Sequence, residues 1–119
     1  MPLNFKPPHP KLMWDCEMGI FVLTEDYVTP EITVPAWEVT DGATRPHWAA
    51  LYLEKYDKHF PACIVHDYMY RHAIGTKKEA DDLFELNLHR CAKHFGFDED
   101  KIFPMVLAVR AGGQGAYPE

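Results

Sequence analysis

The chain has 119 residues, the length of one domain, and its 47% hydrophobic and 25% charged residues match an ordinary globular protein. This composition excludes extended disorder and argues against a membrane protein. The formal net charge is −6, with twelve Lys and Arg against eighteen Asp and Glu, which argues against a general nucleic-acid binder because phosphate binding requires a basic face.

Cysteine usage and the first residues bear on the cellular compartment. Cys16, Cys63 and Cys91 are odd in number and lack C-x-x-C spacing, so we expect reduced, buried thiols rather than disulfides or a zinc ribbon. No apolar run approaches the roughly 18 residues of a membrane-spanning helix, and the proline-rich start is not typical of a signal sequence. We therefore expect no transmembrane segment and a protein that stays where it is made.

The N-terminal half predicts an arm followed by strands. Residues 1–11 contain four prolines and predict an extended arm, either loose or laid against a neighbouring molecule. Short apolar runs, mostly β-branched or aromatic, then alternate with turn residues: Leu12–Trp14, Ile20–Leu23, Tyr27–Val28 and Ile32–Val34. Connections this short favour hairpins, so these runs predict a small antiparallel sheet. Pro35–Pro46 is predicted to be a structured loop.

The C-terminal half predicts three to four helices. One short apolar face lies between His47 and Pro61 and consists of Trp48, Leu51, Tyr52 and Tyr56. Pro61 opens the next helix and Gly75 ends it. Thr76–Glu79 is a capping box that starts a further helix, which Gly96 ends. A last helix is capped by Asp98 or Asp100 and stops at Gly112–Gly113.

These elements predict an α+β fold, in which a small N-terminal antiparallel β-sheet packs on three to four C-terminal α-helices. No linker divides the chain. We therefore expect a single domain over residues 12–113, preceded by the arm and followed by a tail at residues 114–119.

One histidine and three aspartates form the candidate site. Helices joined by a short turn lie antiparallel, so residues whose numbers sum to roughly 150 face each other in this pair. His66 then lies near Phe84, and Asp81 borders the inward face closely enough to reach the imidazole. Asp67 follows His66 at the edge of the apolar stripe, and Asp41 is in the loop that leads into the helices.

This set supports two kinds of chemistry. An aspartate that accepts the imidazole N–H fixes its tautomer, so His66 is the candidate general base and Asp81 its orienting partner. Asp67 and Asp41 are candidate ligands for a divalent cation. Calcium suits their oxygen atoms, whereas zinc is disfavoured because the H-E-x-x-H spacing is missing. Arg110 is a candidate partner for a buried carboxylate of the cluster.

Each of these features also has a structural interpretation. A His-Asp pair inside a helix hairpin can be a polar network that fixes the packing without any substrate. Asp41-Gly42 is also typical of an ordinary turn or a helix-capping loop.

Most of the chain, from about Gly19 to Gly113, resembles a family of short proteins of unknown function from tailed phages and prophages. The segments that carry the resemblance are Ile32–Pro46, Ala62–Tyr70, Lys78–Phe84 and Ala108–Gly113. The family pattern is V-P-x-G-F-x-T-D-x-A-S-x-P, H-D-x-x-Y, A-D-x-x-F and A-V-R-x-x-G. The chain departs from it at Trp37, Glu38 and Thr44, where the family has Gly, Phe and Ser. The resemblance implies a phage origin and supplies no established activity.

Cys63–Tyr70 is also similar to the catalytic helix of secreted and prokaryotic phospholipases A2, which has the form C-x-x-H-D-x-x-Y. The similarity implies that His66 activates water, Asp67 binds calcium and Asp81 orients His66. The usual glycine-rich calcium loop is absent, with Thr40–Gly42 as the nearest substitute, and so is the disulfide framework.

Two functional expectations follow. The first is a phage-encoded, metal-assisted hydrolase that acts on an ester or amide bond of the host envelope. The second is a non-catalytic virion protein of the tail or head, or an assembly protein, with a structural cluster. Its partners would be other phage proteins or further copies of itself, and the proline-rich arm would order on binding. Both place the protein in the host cytoplasm, and the second also in the virion. An inhibitor of a host defence protein fits the small acidic domain, but no residue supports it.

Overall fold

A computed structural model describes residues 2–40 and 58–112. The strands in these ranges are β1 (Leu12–Asp15), β2 (Ile20–Leu23), β3 (Tyr27–Val28), β4 (Thr33–Val34) and β5 (Val39–Thr40). The α-helices are α1 (Phe60–His72), α2 (Lys77–Phe95) and α3 (Ile102–Ala111), with short 3-10 helices at Pro2–Asn4 and Glu99–Lys101. The predicted α+β fold, with antiparallel strands followed by helices, is confirmed.

The strands form two small antiparallel sheets, β1-β2-β5 and β3-β4. All but one of these strands coincide with the predicted apolar runs. Strand β5 lies inside the segment predicted to be a loop, so that prediction is wrong at Val39–Thr40. Its pairing with β2 continues into the preceding residues, where the Leu23 N–H donates to the Glu38 carbonyl at 3.0 Å. Two residues are too few to show the alternation of apolar and polar side chains that identifies a strand in a sequence. The pairing with β2 is what identifies this strand.

The helix ends follow local capping chemistry. Pro61 lies in the first turn of α1, as predicted, but the helix ends at His72 and Ala73 adopts the left-handed conformation before Gly75 does. The predicted capping box is confirmed, because Thr76 Oγ1 accepts the Glu79 N–H at 3.1 Å and the Glu79 carboxylate accepts the Thr76 N–H at 3.0 Å. Gly96 ends α2 with a φ of 78°.

The core is formed by the strands, the α1–α2 hairpin and α3. Its most enclosed members come from both halves of the chain and include Leu23, Val34, Ile64, Val65 and Leu88. Cys63 and Cys91 are buried, as expected, but Cys16 is exposed, so the expectation of buried thiols is wrong for that residue.

The proline-rich N-terminal segment packs on α2 of its own chain. The fully buried guanidinium of Arg90 donates from Nε to the Pro2 carbonyl at 2.8 Å and lies over the Phe5 ring. The same guanidinium binds both carboxylate oxygens of Glu31, at 2.8 and 2.7 Å, and lowers the pKa of that carboxyl group. One buried cation therefore joins the arm, the β3–β4 turn and α2.

Several predicted features lie outside the described residues: the helical face between His47 and Pro61, the tail at 114–119, and Asp41 with its turn. Within residues 2–40 and 58–112, no helix is both long and apolar enough to cross a membrane.

Candidate functional site

The structure brings His66 and Asp81 together across the α1–α2 hairpin. His66 Nε2 lies 2.9 Å from Asp81 Oδ1, and the two side chains are 14% and 2% exposed. The His66 ring centroid lies 4.6 Å from the Phe84 ring, as the antiparallel register predicts. The spacing of one short turn between two helices thus places a mostly buried imidazole against an enclosed carboxylate.

Asp81 accepts two further hydrogen bonds. The Tyr70 hydroxyl donates to Oδ1 at 2.8 Å and Lys77 Nζ donates to Oδ2 at 2.8 Å. Burial by itself would raise the pKa of Asp81, but the hydrogen bonds from His66, Lys77 and Tyr70 outweigh it and lower that pKa. The carboxylate is therefore ionised at neutral pH.

An ionised Asp81 fixes the tautomer of His66. A carboxylate only accepts hydrogen bonds, so in the neutral imidazole Nε2 carries the proton and Nδ1 carries the lone pair. Nδ1 makes no hydrogen bond to a described residue. The ring is held between Tyr70, at a centroid distance of 4.2 Å, and Phe84. Nδ1 is thus oriented by the pairing of Nε2, in a side chain that is 14% exposed.

Tyr70 and Lys77 belong to this site but carried no role in the sequence-based prediction. Both are four residues from a member of the pair, Tyr70 from His66 and Lys77 from Asp81, which places each on the same helix face as its partner. Lys77 also donates to the Val109 carbonyl at 2.8 Å, near the C-terminus of α3. The i,i+4 spacing could have identified both residues, whereas the contact with α3 has no local signal.

Asp67 faces other partners. Its carboxylate is 7% exposed, and Oδ2 lies 3.3 Å from the Arg71 guanidinium one turn further along α1. Arg71 in turn donates to the Val39 carbonyl at 2.9 Å, which connects α1 to β5. The described contacts of Asp67 therefore belong to the interface between α1 and the sheet.

The described residues include one of the two predicted metal ligands, Asp67. A guanidinium already lies against Asp67, and a second positive charge on that carboxylate would be repelled. Within residues 2–40 and 58–112, no three His, Cys, Asp or Glu side chains converge in the manner of metal ligands. The metal prediction also requires Asp41, which lies outside the described residues.

Arg110 pairs with other carboxylates than the one expected. Its Nη2 lies 2.8 Å from Asp82 Oδ1 and 3.1 Å from Glu85 Oε1, and both acidic side chains are more than 40% exposed. The expectation that Arg110 pairs with a buried carboxylate of the cluster is therefore wrong. The cation that reaches Asp81 is Lys77.

The chain was compared with protein families, curated proteins and solved structures. Residues 21–108 match the family described as Protein of unknown function (DUF1353). This range includes all of β2 but its first residue, the strands after it, α1, α2 and most of α3. No curated protein and no solved structure matches the chain.

Proposed function

The chain belongs to the DUF1353 family of proteins of unknown function, and on this premise we propose that it is a phage-encoded hydrolase with His66 as general base. The observation that carries the proposal is the 2.9 Å contact between His66 Nε2 and Asp81 Oδ1, which orients Nδ1 and leaves it without a hydrogen bond to any described residue. Asp81 is a positioning residue in this proposal, and Tyr70 and Lys77 hold its carboxylate in place.

The proposed step is the hydrolysis of an ester or amide. His66 Nδ1 removes a proton from a water molecule, and the water oxygen attacks the carbonyl carbon. The imidazolium then returns the proton to the leaving alcohol or amine as the bond to carbon breaks. Asp81 stabilises the imidazolium during this step, because its carboxylate remains charged against the Nε2 proton.

The proposed substrate is an ester or amide bond of the host envelope, and the proposed location is the host cytoplasm or the virion. These two points rest on the similarity of Cys63–Tyr70 to the phospholipase A2 helix and on the resemblance to phage proteins.

No step is assigned to a metal. If Asp41 joins Asp67, the carboxylate pair would favour calcium, and Arg71 would have to leave Oδ2.

The test is a hydrolysis assay with p-nitrophenyl esters, phospholipid vesicles and purified peptidoglycan. We expect His66→Gln to lower the rate of the hydrolysed substrate at least about 100-fold, the scale of general-base catalysis. Gln retains an N–H that can reach Asp81, so the melting temperature should stay within a few degrees. His89→Gln is the matched control, because that side chain is 43% exposed on the outer part of α2.

Rates in calcium, in zinc and in EDTA test the metal prediction separately. The general-base proposal is wrong if no substrate is hydrolysed, or if the wild type and His66→Gln hydrolyse every substrate at equal rates.

A second candidate function is a non-catalytic virion or assembly protein. The observation that favours it is the position of Asp81, which joins α1 through His66 and Tyr70 and, through Lys77, the end of α3. A cluster that connects three helices would be retained for folding alone. Quantitative mass spectrometry of purified phage particles tests this candidate, which predicts the chain at a fixed copy number per particle.

A further inference from the structure

Strand β1 has one open edge in the described part of the chain. The three-stranded sheet has the order β1-β2-β5, so β1 is paired on one side only. Beyond the end of β1, the Lys11 carbonyl accepts the Thr24 N–H at 2.9 Å, which directs the backbone groups of residue 11 toward β2. Because these groups alternate along an antiparallel strand, Met13 and Asp15 also bond toward β2, whereas Leu12 and Trp14 direct theirs outward.

The open edge is apolar and exposed. Met13 and Trp14 are 46% and 50% exposed, and the Trp14 ring packs edge-on against Phe21 at 5.1 Å. An exposed apolar edge strand is a template for pairing with another strand. One charge of each sign flanks it, Lys11 before the strand and Asp15 at its end.

We propose that two copies of this chain pair through antiparallel β1 strands, with Met13 opposite Met13 of the second copy. The two strands can form hydrogen bonds only if residues whose backbone N–H and C=O groups point outward lie opposite each other. In this register, Leu12 lies opposite Trp14 of the second copy. Each such pair exchanges both N–H···O bonds. The two sheets then become one continuous six-stranded sheet, since each copy contributes its three strands.

Charge complementarity selects this register. Lys11 then lies directly opposite Asp15 of the second copy, at both ends of the paired strands. Pairing Leu12 with Leu12 places Trp14 opposite Pro10, which has no N–H to donate. Pairing Trp14 with Trp14 places Leu12 opposite Cys16, beyond the end of β1. Both registers also separate Lys11 from Asp15. On the other face, Trp14 of each copy lies between its own Phe21 and Leu12 of the second copy, which extends the aromatic packing already present.

Sedimentation equilibrium of the full chain, from micromolar to near-millimolar concentration, tests the proposal. We expect a monomer–dimer equilibrium, and Lys11→Glu should raise the dissociation constant about tenfold or more because two favourable cross-strand pairs become like-charge pairs. Lys101→Glu makes the same change of charge far along the chain, before α3, and should leave the constant unchanged.

Disulfide trapping tests the register. In a Cys16→Ser background, Met13→Cys should give a disulfide-linked dimer on mild oxidation, because residues in a non-hydrogen-bonded pair lie about 4.5 Å apart at Cα. Val28→Cys, in the other sheet and 56% exposed, should remain monomeric. A monomer at all concentrations overturns the proposal. So does a dimer that is insensitive to Lys11→Glu and not trapped through residue 13.

Discussion

Replacing Asp81 by Asn should destabilise the protein by about 2–4 kcal/mol at neutral pH. The carboxylate is 2% exposed and accepts bonds from His66 and Tyr70 on Oδ1 and from Lys77 on Oδ2. An amide in the same position keeps Oδ1 as an acceptor but directs its NH₂ group at the Lys77 ammonium. The loss is therefore one charge-assisted hydrogen bond, at about 1.5–3 kcal/mol, plus the cost of a half-buried ammonium without its counter-charge.

The loss should depend on pH with a definite sign. The pKa of Asp81 is lowered in the folded protein, so its contribution to the free energy of unfolding is fully present above the unfolded value of about 3.9. That contribution disappears as the pH falls through the lower, folded pKa, where the wild-type carboxyl group also becomes neutral. The stability difference between wild type and Asp81→Asn should therefore shrink as the pH falls below about 4.

Urea unfolding followed by tryptophan fluorescence, repeated from pH 7 to pH 3, measures both quantities. Asp82→Asn is the matched control, because Asp82 is the next residue of α2 and makes ion pairs with Lys78 and Arg110 but is 47% exposed. That variant should lose no more than about 1 kcal/mol. An Asp81→Asn loss no larger than that of the control, or a difference that persists unchanged at pH 3, would refute the assigned electrostatic role.

Three further predictions concern residues outside the site. Arg90→Met should lower the free energy of unfolding by about 2–4 kcal/mol, because it leaves the Glu31 carboxylate, the buried Asn87 Oδ1 and the Pro2 carbonyl without their donor. Urea unfolding checks this, and a loss below about 1 kcal/mol would contradict it. Trp37 has a φ of 72° and is 64% exposed. Thermal unfolding should therefore show Trp37→Gly to be more stable than Trp37→Ala by about 1 kcal/mol, because glycine adopts a positive φ without strain. The opposite order of stability would show that the position is not strained. In the native protein, the exposed Cys16 should react rapidly with a thiol reagent. Cys91 should react only after unfolding, because it is buried and its pKa is raised to about 11. Rapid modification of both thiols would contradict this prediction.

The sequence predicted those parts of the fold that depend on nearby residues. The capping box at Thr76 and the stop at Gly96 are local chemistry, and both helix ends lie where that chemistry places them. The approach of His66 to Phe84 and Asp81 follows from two helices and a turn of known length. Such features require only short-range spacing, so one sequence is sufficient to find them.

Contacts between distant residues could not be predicted in this way. Arg90 bonds to Pro2 and Glu31, which lie 88 and 59 positions away, and an arginine on a predicted helix has no feature that distinguishes burial from exposure. Strand β5 forms because it pairs with β2. Arg71 of α1 then donates a hydrogen bond to the Val39 carbonyl of β5. Each of these contacts depends on a residue that is distant in the sequence and that only the tertiary fold brings close.

The two proposed functions predict different effects of substitutions at Asp81 and at His66. Asp81 bonds to side chains from α1 and α2, so any change there alters folding and orientation of the imidazole together. His66 differs, because Nε2 belongs to the cluster while Nδ1 bonds to no described residue. Gln at position 66 can preserve the bond to Asp81 but provides no titratable base. A fold that needs only the cluster should therefore tolerate His66→Gln without loss of function, whereas an enzyme that uses Nδ1 should not.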